Sequence, residues 1–272
     1  MEGSSHGAWL STLETCHEVE KIPGLDLRVV AAELFSVSEL VATEAKLRRA
    51  LADPSRDAWP KQDLATRVFD GKVSAEAMRI IATAVGQRWV QDHDLTDAFE
   101  RAGINLVFAA AELDGRLNKL EDELFAIQEM VLRNQALTDA LGRRDVEAAP
   151  KAGLIRNLLE GKVSGDALWL AQRPALNPRG RQFARTIWHM LAIADLRRRH
   201  VTAVVVSAIP LTQEQKHRIE AALSTTFGRQ VNANLVVDPD VLGGIQVRVG
   251  DDFIDGSVRR LLDDAGRALT KV

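Results

Sequence analysis

The sequence lacks a second cysteine with which to form a disulfide, and it lacks an apolar segment long enough to span a membrane. Its 272 residues include one cysteine, Cys16, and no tyrosine. A single cysteine excludes an intrachain disulfide and fits a reducing compartment. No run approaches the ~18 apolar residues of a membrane span, and the polar residues 1–6 lack the basic and apolar regions of a signal peptide. We therefore expect a chain with no disulfide, no signal peptide and no membrane span of its own.

Neither sign of charge dominates the sequence. Thirty-five Lys and Arg residues oppose 38 Asp and Glu residues, for a formal net charge of −3, so charge gives no reason to expect a nucleic-acid partner. Aromatic residues make up 5% of the chain and hydrophobic residues 46%. That composition suits small helical bundles packed by Leu, Val and Ala, and the length predicts two or three domains.

Motifs for catalysis, metal binding and cofactor binding are also lacking. The six histidines are scattered, and no Cys/His spacing matches a metal site. Gly71-Lys72 and Gly161-Lys162 lack the first glycine of a phosphate loop, and Gly243-Gly244 has no dinucleotide-binding context. Ser257, beside Asp255, has no nucleophile elbow or paired histidine. We expect no cofactor, no metal and no active site in this chain.

The sequence does contain an internal repeat. Residues 33–77 match residues 123–167, a shift of 90, without a gap and with 17 identities in 45 positions, so duplication is the simplest cause. In each copy the pattern predicts helix, loop, helix, turn, helix. Proline begins a helix, glycine ends it and serine caps the next. These residues are Pro60, Gly71 and Ser74 in the first copy and Pro150, Gly161 and Ser164 in the second.

Long helices are predicted around the second copy. The segment from Leu95 to Leu141 contains no proline, so one or two long helices should bridge the two helical bundles. Residues 182–199 are also predicted to be helical.

Across residues 173–199, seven arginines oppose only Asp195. This basic stretch is interpreted either as a contact for an acidic partner or anionic lipid, or, as we favour, as a solvated rim.

The C-terminal third changes from helical to mixed patterning. The β-branched run 201–206 predicts a strand. Thr212 and Gln215 form a capping box that opens a helix to about Phe227, and residues 231–237 predict the next strand.

The stretch from residue 235 to residue 262 is punctuated by glycines. Ile245, Val247 and Val249 alternate with polar residues as in a half-buried strand. Gly243, Gly244, Gly250 and Gly256 are expected to serve backbone conformation, and Asp255-Gly256-Ser257 is expected to open a helix capped by Ser257. Ile245, Val247, Val249, Ile254 and Val258 are predicted to form the small core. Arg259 and Arg260 are the candidates for partner contact.

This glycine-punctuated stretch closely resembles the C-terminal signature of the delta subunit of F-type ATP synthases, the family of the mitochondrial oligomycin-sensitivity-conferring protein. The matching residues are Leu242, Gly243, Gly244, Ile245, Val249, Gly250, Asp251, Ile254, Asp255, Gly256, Ser257, Val258, Arg259 and Leu261. The chain is about half as long again as an ordinary family member. The resemblance therefore implies the elongated actinobacterial type, with a duplicated N-terminal helical domain.

The predicted fold class is mostly α, with two tandem helical bundles followed by a small β-α-β-β-α module. We expect the extra bundle at residues 1–110, the family's ordinary N-terminal domain at residues 111–200, and a stalk-binding module at residues 201–272.

The resemblance implies a non-catalytic stator subunit, peripheral at the cytoplasmic face of the plasma membrane. It implies that the helical domain binds the N-terminal helix of an ATP synthase α subunit. The C-terminal module would meet the b-type stalk subunits, with β as a further candidate partner, and the chain would couple proton flow to ATP synthesis. Each bundle would take a separate helix from the head, or the first would brace the stalk. The alternative is a free-standing helical-repeat adaptor that binds an amphipathic helix of another complex.

Overall fold

A computed structural model describes residues 4–143, 145–227, 230–239, 241, 244–249 and 252–257. The chain divides into two units, a helical unit, Met1–Ala194, and a C-terminal unit, Asp195–Val272. The fold class predicted from the sequence, mostly α with a small α/β C-terminal module, is confirmed. Within the described ranges, no helix is long and apolar enough to cross a membrane.

Eleven helices precede the first strand in the part of the chain that the structure describes. They are α1 (Ser4–Glu20), α2 (Leu27–Thr43), α3 (Ala45–Ala52), α4 (Ala58–Phe69), α5 (Ala75–Gly86), α6 (Asp92–Leu113), α7 (Leu117–Arg133), α8 (Gln135–Gly142), α9 (Ala148–Leu159), α10 (Gly165–Leu176) and α11 (Phe183–Arg199).

The repeat is visible in these helix bounds. A shift of 90 residues superposes the bounds of α2 to α5 on those of α7 to α10, residue for residue. The same shift places α1 inside α6, and α6 over α11. Each copy is therefore a six-helix arrangement, and α6 is both the last helix of the first copy and the first helix of the second.

The same local devices end and begin helices in both copies. Ser74 and Ser164 each accept a hydrogen bond from a backbone N–H three residues further on, as an N-cap does. Gly71 and Gly161, with φ of +70° and +75°, follow the preceding helix in the left-handed conformation that glycine adopts without steric cost. These predictions of helix ends are confirmed.

In each copy, one carboxylate links two segments of the repeat that are 41 residues apart in sequence. The Ser74 hydroxyl donates to Glu33 Oε2 at 2.5 Å, and the equivalent Ser164 hydroxyl donates to Glu123. In each copy the glutamate on the second helix thereby fixes the start of the fifth. A charge-assisted hydrogen bond of this kind is stronger than a neutral one.

One hydrophobic core extends through both copies. Helix α6 lies in it, and all residues from Leu95 to Ala111 except Asp97 and Arg101 are buried. A helix that is buried on almost every side belongs to the interior of a larger body. Helix α6 is the long bridging helix that the sequence predicts, but it runs across the predicted boundary at residue 110, so the two copies share a helix and a core.

Helices α2 and α6 approach each other closely at Gly103. A Cβ added at Gly103 would lie 2.7 Å from Phe35 Cε1, closer than real Cβ contacts allow. Phe35 itself is 2% exposed. At the equivalent position the first copy has Leu13, which is only partly buried against the core. The glycine at 103 is therefore required by the aromatic ring that lies on it.

The C-terminal unit is built on a four-stranded sheet. Its elements are β1 (His200–Ser207), α12 (Gln213–Phe227), β2 (Gln230–Val237), β3 (Gly244–Val249) and β4 (Asp252–Ser257). The strand order is β2-β1-β3-β4. Strand β1 pairs parallel with β2 and antiparallel with β3, and β3 pairs antiparallel with β4. A helix between two parallel strands is the usual crossover connection.

The predicted capping box is confirmed at the start of α12. The Thr212 N–H donates to Gln215 Oε1 at 2.8 Å, and the Gln215 N–H donates to Thr212 Oγ1 at 3.3 Å. Leu223 of α12 is buried with one face of the sheet. That face is made of Ala203, Val205, Val231, Ala233 and Val247.

Residues 252–257 form a fourth strand, β4, that the sequence pattern does not predict. Asp255, Gly256 and Ser257 end β4, in which Gly256 pairs with Ile245 and Ser257 pairs with Gly244. This strand was not predicted because residues 252–257 lack the alternation of polar and apolar residues that marks a strand in sequence, whereas backbone pairing with β3 needs no such pattern. The helix that Ser257 was predicted to cap lies outside the described residues.

Replacing Gly103 by alanine tests the close approach of α2 and α6. We expect Gly103→Ala to lower the free energy of unfolding by about 1–3 kcal/mol, because the new methyl group displaces Phe35 in a packed core. Gly153→Ala is the control, since nothing lies within 4 Å of a Cβ there. It should leave stability unchanged or raise it by up to ~1 kcal/mol. Urea unfolding of both variants checks this, and equal stability of the two would contradict it.

Candidate functional site

The described residues of the C-terminal signature lie on two paired strands. Gly244, Ile245 and Val249 belong to β3, and Ile254, Asp255, Gly256 and Ser257 belong to β4. The other signature positions, Leu242, Gly243, Gly250, Asp251, Val258, Arg259 and Leu261, and the candidate contact Arg260 lie outside the described residues. The structure thus brings the central part of the signature together as a β-ladder.

These signature residues support the module itself. Gly244 has φ of +77°, which a residue with a Cβ adopts only with strain. Ile245 packs against the core of the C-terminal unit, and Val247, between the signature positions, is 4% exposed there. Their role in the described structure is to shape a small folded block, and direct contact with a partner stays a prediction.

In the helical unit, an aromatic and charged interface joins α2 of the first copy to α10 of the second. The rings of Phe35 and Trp169 meet edge to face, with centroids 5.3 Å apart. The Arg173 guanidinium lies 4.2 Å from the centroid of the Phe35 ring, a cation–π arrangement. Arg173 Nη2 also lies 2.7 Å from Glu39 Oε1, at angles outside hydrogen-bond geometry. Glu39 Oε1 accepts a hydrogen bond from Asn177 at 2.8 Å.

A bidentate pair closes one end of this interface. Arg28 Nε and Nη2 each donate to a different oxygen of Asp166 at 2.8 Å, and Nη2 also donates to Asp114 at 2.8 Å. The bonds to Asp166 raise the pKa of Arg28 above its ordinary value. The guanidinium groups of Arg116 and then Arg28 lower the pKa of Asp114. A forked Arg–carboxylate pair fixes orientation as well as distance.

The other end is held by arginines that follow α10. Arg179 Nη1 lies 3.0 Å from Asp97 of α6, and its Nη2 donates to Ser38 Oγ at 2.6 Å. Arg181 donates to Glu100, which is 2% exposed. A buried carboxylate needs such a partner, because an unpaired buried charge is costly.

These contacts correct the interpretation of the basic stretch. Arg173, Arg179 and Arg181 do not form a solvated rim, since they pair with acidic residues of α2 and α6 and Arg173 is 5% exposed. The carboxylates of Glu39, Asp97 and Glu100 are the partners of these arginines. Because they lie 80 or more residues away along the chain, the sequence alone does not show the pairing. Arg185 is exposed.

A groove of about 500 Å³ runs between α7 and the turn from α9 to α10, and we call it the α7 groove. Its apolar lining is supplied by Ala126, Ile127, Met130, Leu159 and Val163, and its charged side chains by Lys119, Asp122, Glu123 and Lys162. An apolar groove with a charged rim suits one face of an amphipathic helix. In the first copy, the positions equivalent to 119 and 130 are Val29 and Leu40, which are 53% and 41% exposed.

Comparison with known proteins decides the family. The profile of the "ATP synthase delta (OSCP) subunit" family matches residues 106–269. The ATP synthase subunit delta of Kineococcus radiotolerans is 40% identical over 246 residues, which cover 90% of this chain and 89% of that protein. The corresponding protein of Streptomyces coelicolor is 38% identical over 269 residues, covering 99% of this chain and 98% of its own. This chain belongs to the ATP synthase delta (OSCP) family.

Membership confirms the resemblance seen in the C-terminal signature. The family profile begins within α6 and takes in the second copy and the C-terminal unit. The elongated form is shared, because the ATP synthase subunit delta of Frankia alni is 36% identical over 277 residues and covers the whole of both chains. A chain of the Toxoplasma gondii mitochondrial ATP synthase hexamer covers 61% of this chain and 94% of its own, at 18% identity and a TM-score of 0.25.

A substitution in the interface between the copies tests its contribution to stability. We expect Arg173→Ala to lower the free energy of unfolding by about 1–3 kcal/mol, because it removes a buried cation from the Phe35 ring and from Glu39. The control Arg67→Ala removes an ion pair to Asp63 in which the arginine side chain is 75% exposed. It should change stability by no more than about 0.5 kcal/mol. Urea unfolding curves that shift equally for both variants would show that the interface adds nothing specific.

Proposed function

We propose that this delta-family subunit is a non-catalytic part of the ATP synthase peripheral stalk, at the cytoplasmic face of the plasma membrane. It ties the catalytic head to the b-type stalk subunits, so that proton flow is coupled to ATP synthesis. The observation that carries this proposal is the family match, which runs through both the second helical copy and the C-terminal unit. A stator needs joints at two ends, and the chain supplies two folded units.

The helical unit is the side that binds the head. Its partner is the amphipathic N-terminal helix of an α subunit, and the α7 groove is the surface that we assign to it. The support is chemical. Ala126, Met130 and Val163 offer apolar contact, whereas Lys119 and Asp122 offer charges of both signs at the rim. Helix-in-groove binding uses this combination of an apolar floor and a polar edge.

The C-terminal unit is the side that meets the b-type stalk, with β as a further candidate partner of the chain. Its support is the signature: Gly244 and the paired strands β3 and β4 build a small block whose core is separate from that of the helical unit. Arg259 and Arg260, which lie outside the described residues, remain the residues that the sequence suggests for contact with the stalk.

Duplication of the helical domain strengthens this joint in physical terms. The two copies share α6 and one core, so a binding surface on each copy would be carried on the same helical unit. If each copy takes one helix from the head, binding of the first raises the effective concentration of the second without any new contact. Slow dissociation, which a stator requires, follows from such double attachment. The free-standing adaptor remains the weaker candidate, since the groove alone fits it but the family match does not.

Reconstitution with and without the chain tests the coupling role. Purified head and stalk that lack this chain should hydrolyse ATP at the normal rate, because catalysis belongs to other subunits. They should not pump protons, because the head is not held against the rotor. Adding the chain should restore pumping, measured by acidification of vesicles. Full proton pumping by a complex shown to contain none of this chain would contradict the proposal.

A further inference from the structure

The repeat places two identical side-chain pairs in different surroundings. Phe35 and Glu39 on α2 correspond to Phe125 and Glu129 on α7, one helical turn apart in each case. Phe35 is 2% exposed, whereas Phe125 is 56% exposed. The first pair is therefore covered within the chain, and the aromatic ring of the second pair lies open at the surface.

The covering of the first pair is a specific arrangement. Trp169 meets the Phe35 ring edge to face at 5.3 Å, and Arg173 lies over the ring at 4.2 Å and beside Glu39 at 2.7 Å. Trp169 and Arg173 are themselves one turn apart on α10. A surface formed by a phenylalanine and a glutamate one turn apart thus binds a helix that carries a large apolar residue and, one turn later, an arginine.

The open surface on α7 is larger than one ring. Leu132, two turns after Phe125, is 57% exposed, and Glu129 lies between them in sequence. We call these three residues the Phe125 face. Glu129 pairs with Arg133 at 3.0 Å, and the Arg133 side chain is 81% exposed, so this ion pair costs little to exchange for another. Phe125 and Leu132 thus place two large exposed apolar side chains on one face of α7, with the Glu129 carboxylate between them.

We propose that the Phe125 face binds a helix of another ATP synthase subunit, one that carries a large apolar residue and, one turn later, an arginine. The proposal rests on the proposed stator function, which places other subunits around the chain. Charge supports it: Glu129 is the counterpart of Glu39, whose Oε1 lies 2.7 Å from Arg173 Nη2, so an arginine on the partner helix is favoured. The geometry to be reproduced is the one that α10 presents to Phe35.

A second copy of the chain does not supply this helix. Trp169 and Arg173 of α10 are already engaged by Phe35 and Glu39 of their own chain. The equivalent positions on α5 of the first copy are Arg79 and Thr83, which offer no aromatic ring. The Phe125 face therefore does not continue the repeat from molecule to molecule, and its occupant is a different polypeptide.

Photocrosslinking identifies the occupant. The full-length chain with p-benzoylphenylalanine in place of Phe125 is assembled with purified head and stalk, irradiated, and the crosslinked peptides are sequenced. The proposal predicts a crosslink to a helix of a head or stalk subunit that has an arginine three or four residues after a large apolar residue. A crosslink only into the chain's own residues, or none in a complex that pumps protons, overturns it.

Phe125→Glu measures the contribution of the face. Because the ring is 56% exposed, the thermal unfolding temperature should stay unchanged, while the dissociation rate of the chain from the assembled complex should rise roughly tenfold or more, as for an aromatic interface anchor. The matched control is Trp59→Glu, which alters a side chain 72% exposed on α4 at a position where the second copy has Ala149. Its dissociation rate should equal that of the wild type.

Charge exchange separates this docking site from the stator function. Glu129→Arg should weaken binding, and reversing the arginine on the crosslinked helix to glutamate should restore it. If the chain restores proton pumping but Phe125→Glu dissociates at the wild-type rate, the docking site is wrong and the stator function stands. If the chain joins neither head nor stalk, both are wrong.

Discussion

Burial of α6 is the constraint on which the helical unit depends. This helix closes the first copy and opens the second, and nearly every residue from Leu95 to Ala111 is buried. Helices α1, α2, α3 and α5 of the first copy and helices α7 and α10 of the second copy all pack on it, as expected of a helix in the interior of a larger body. Duplication at a spacing of 90 residues therefore produced one body with a common helix. A truncation that ends inside α6 would damage both copies.

The polar interface around α10 gives this body its asymmetry. Arg28, Arg173, Arg179 and Arg181 pair with carboxylates of the other copy or of α6, and Phe35 is enclosed between Trp169 and Arg173. Such pairs contribute orientation more than net stability, because desolvation offsets much of their attraction. As a result, the equivalent surfaces around Phe35 on α2 and Phe125 on α7 differ in exposure. One is used inside the chain, and its counterpart on α7 faces outward.

Local features of the fold followed from the sequence, and long-range ones did not. Serine and glycine at the helix ends and the Thr212–Gln215 box act over a few residues, so their outcome can be predicted from those residues alone. The common core could not, because periodicity shows which face of α6 is apolar but not how many neighbours cover it. Strand β4 was missed since residues 252–257 carry no alternating pattern. The burial of Arg173 could not be predicted either, because its partners Phe35 and Glu39 lie in the other copy, far from it in sequence.

Native-state hydrogen exchange on α6 tests most directly whether the two helical copies form one cooperative body. Amide groups in the deepest parts of a cooperative unit exchange only when the whole unit unfolds. The shared core predicts that amides of α6 exchange with the same opening free energy as those of α2 and of α10, and that this free energy equals the global value for the helical unit. A distinctly lower opening free energy for α1 to α5, with α6 still protected by the second copy, would contradict the shared core.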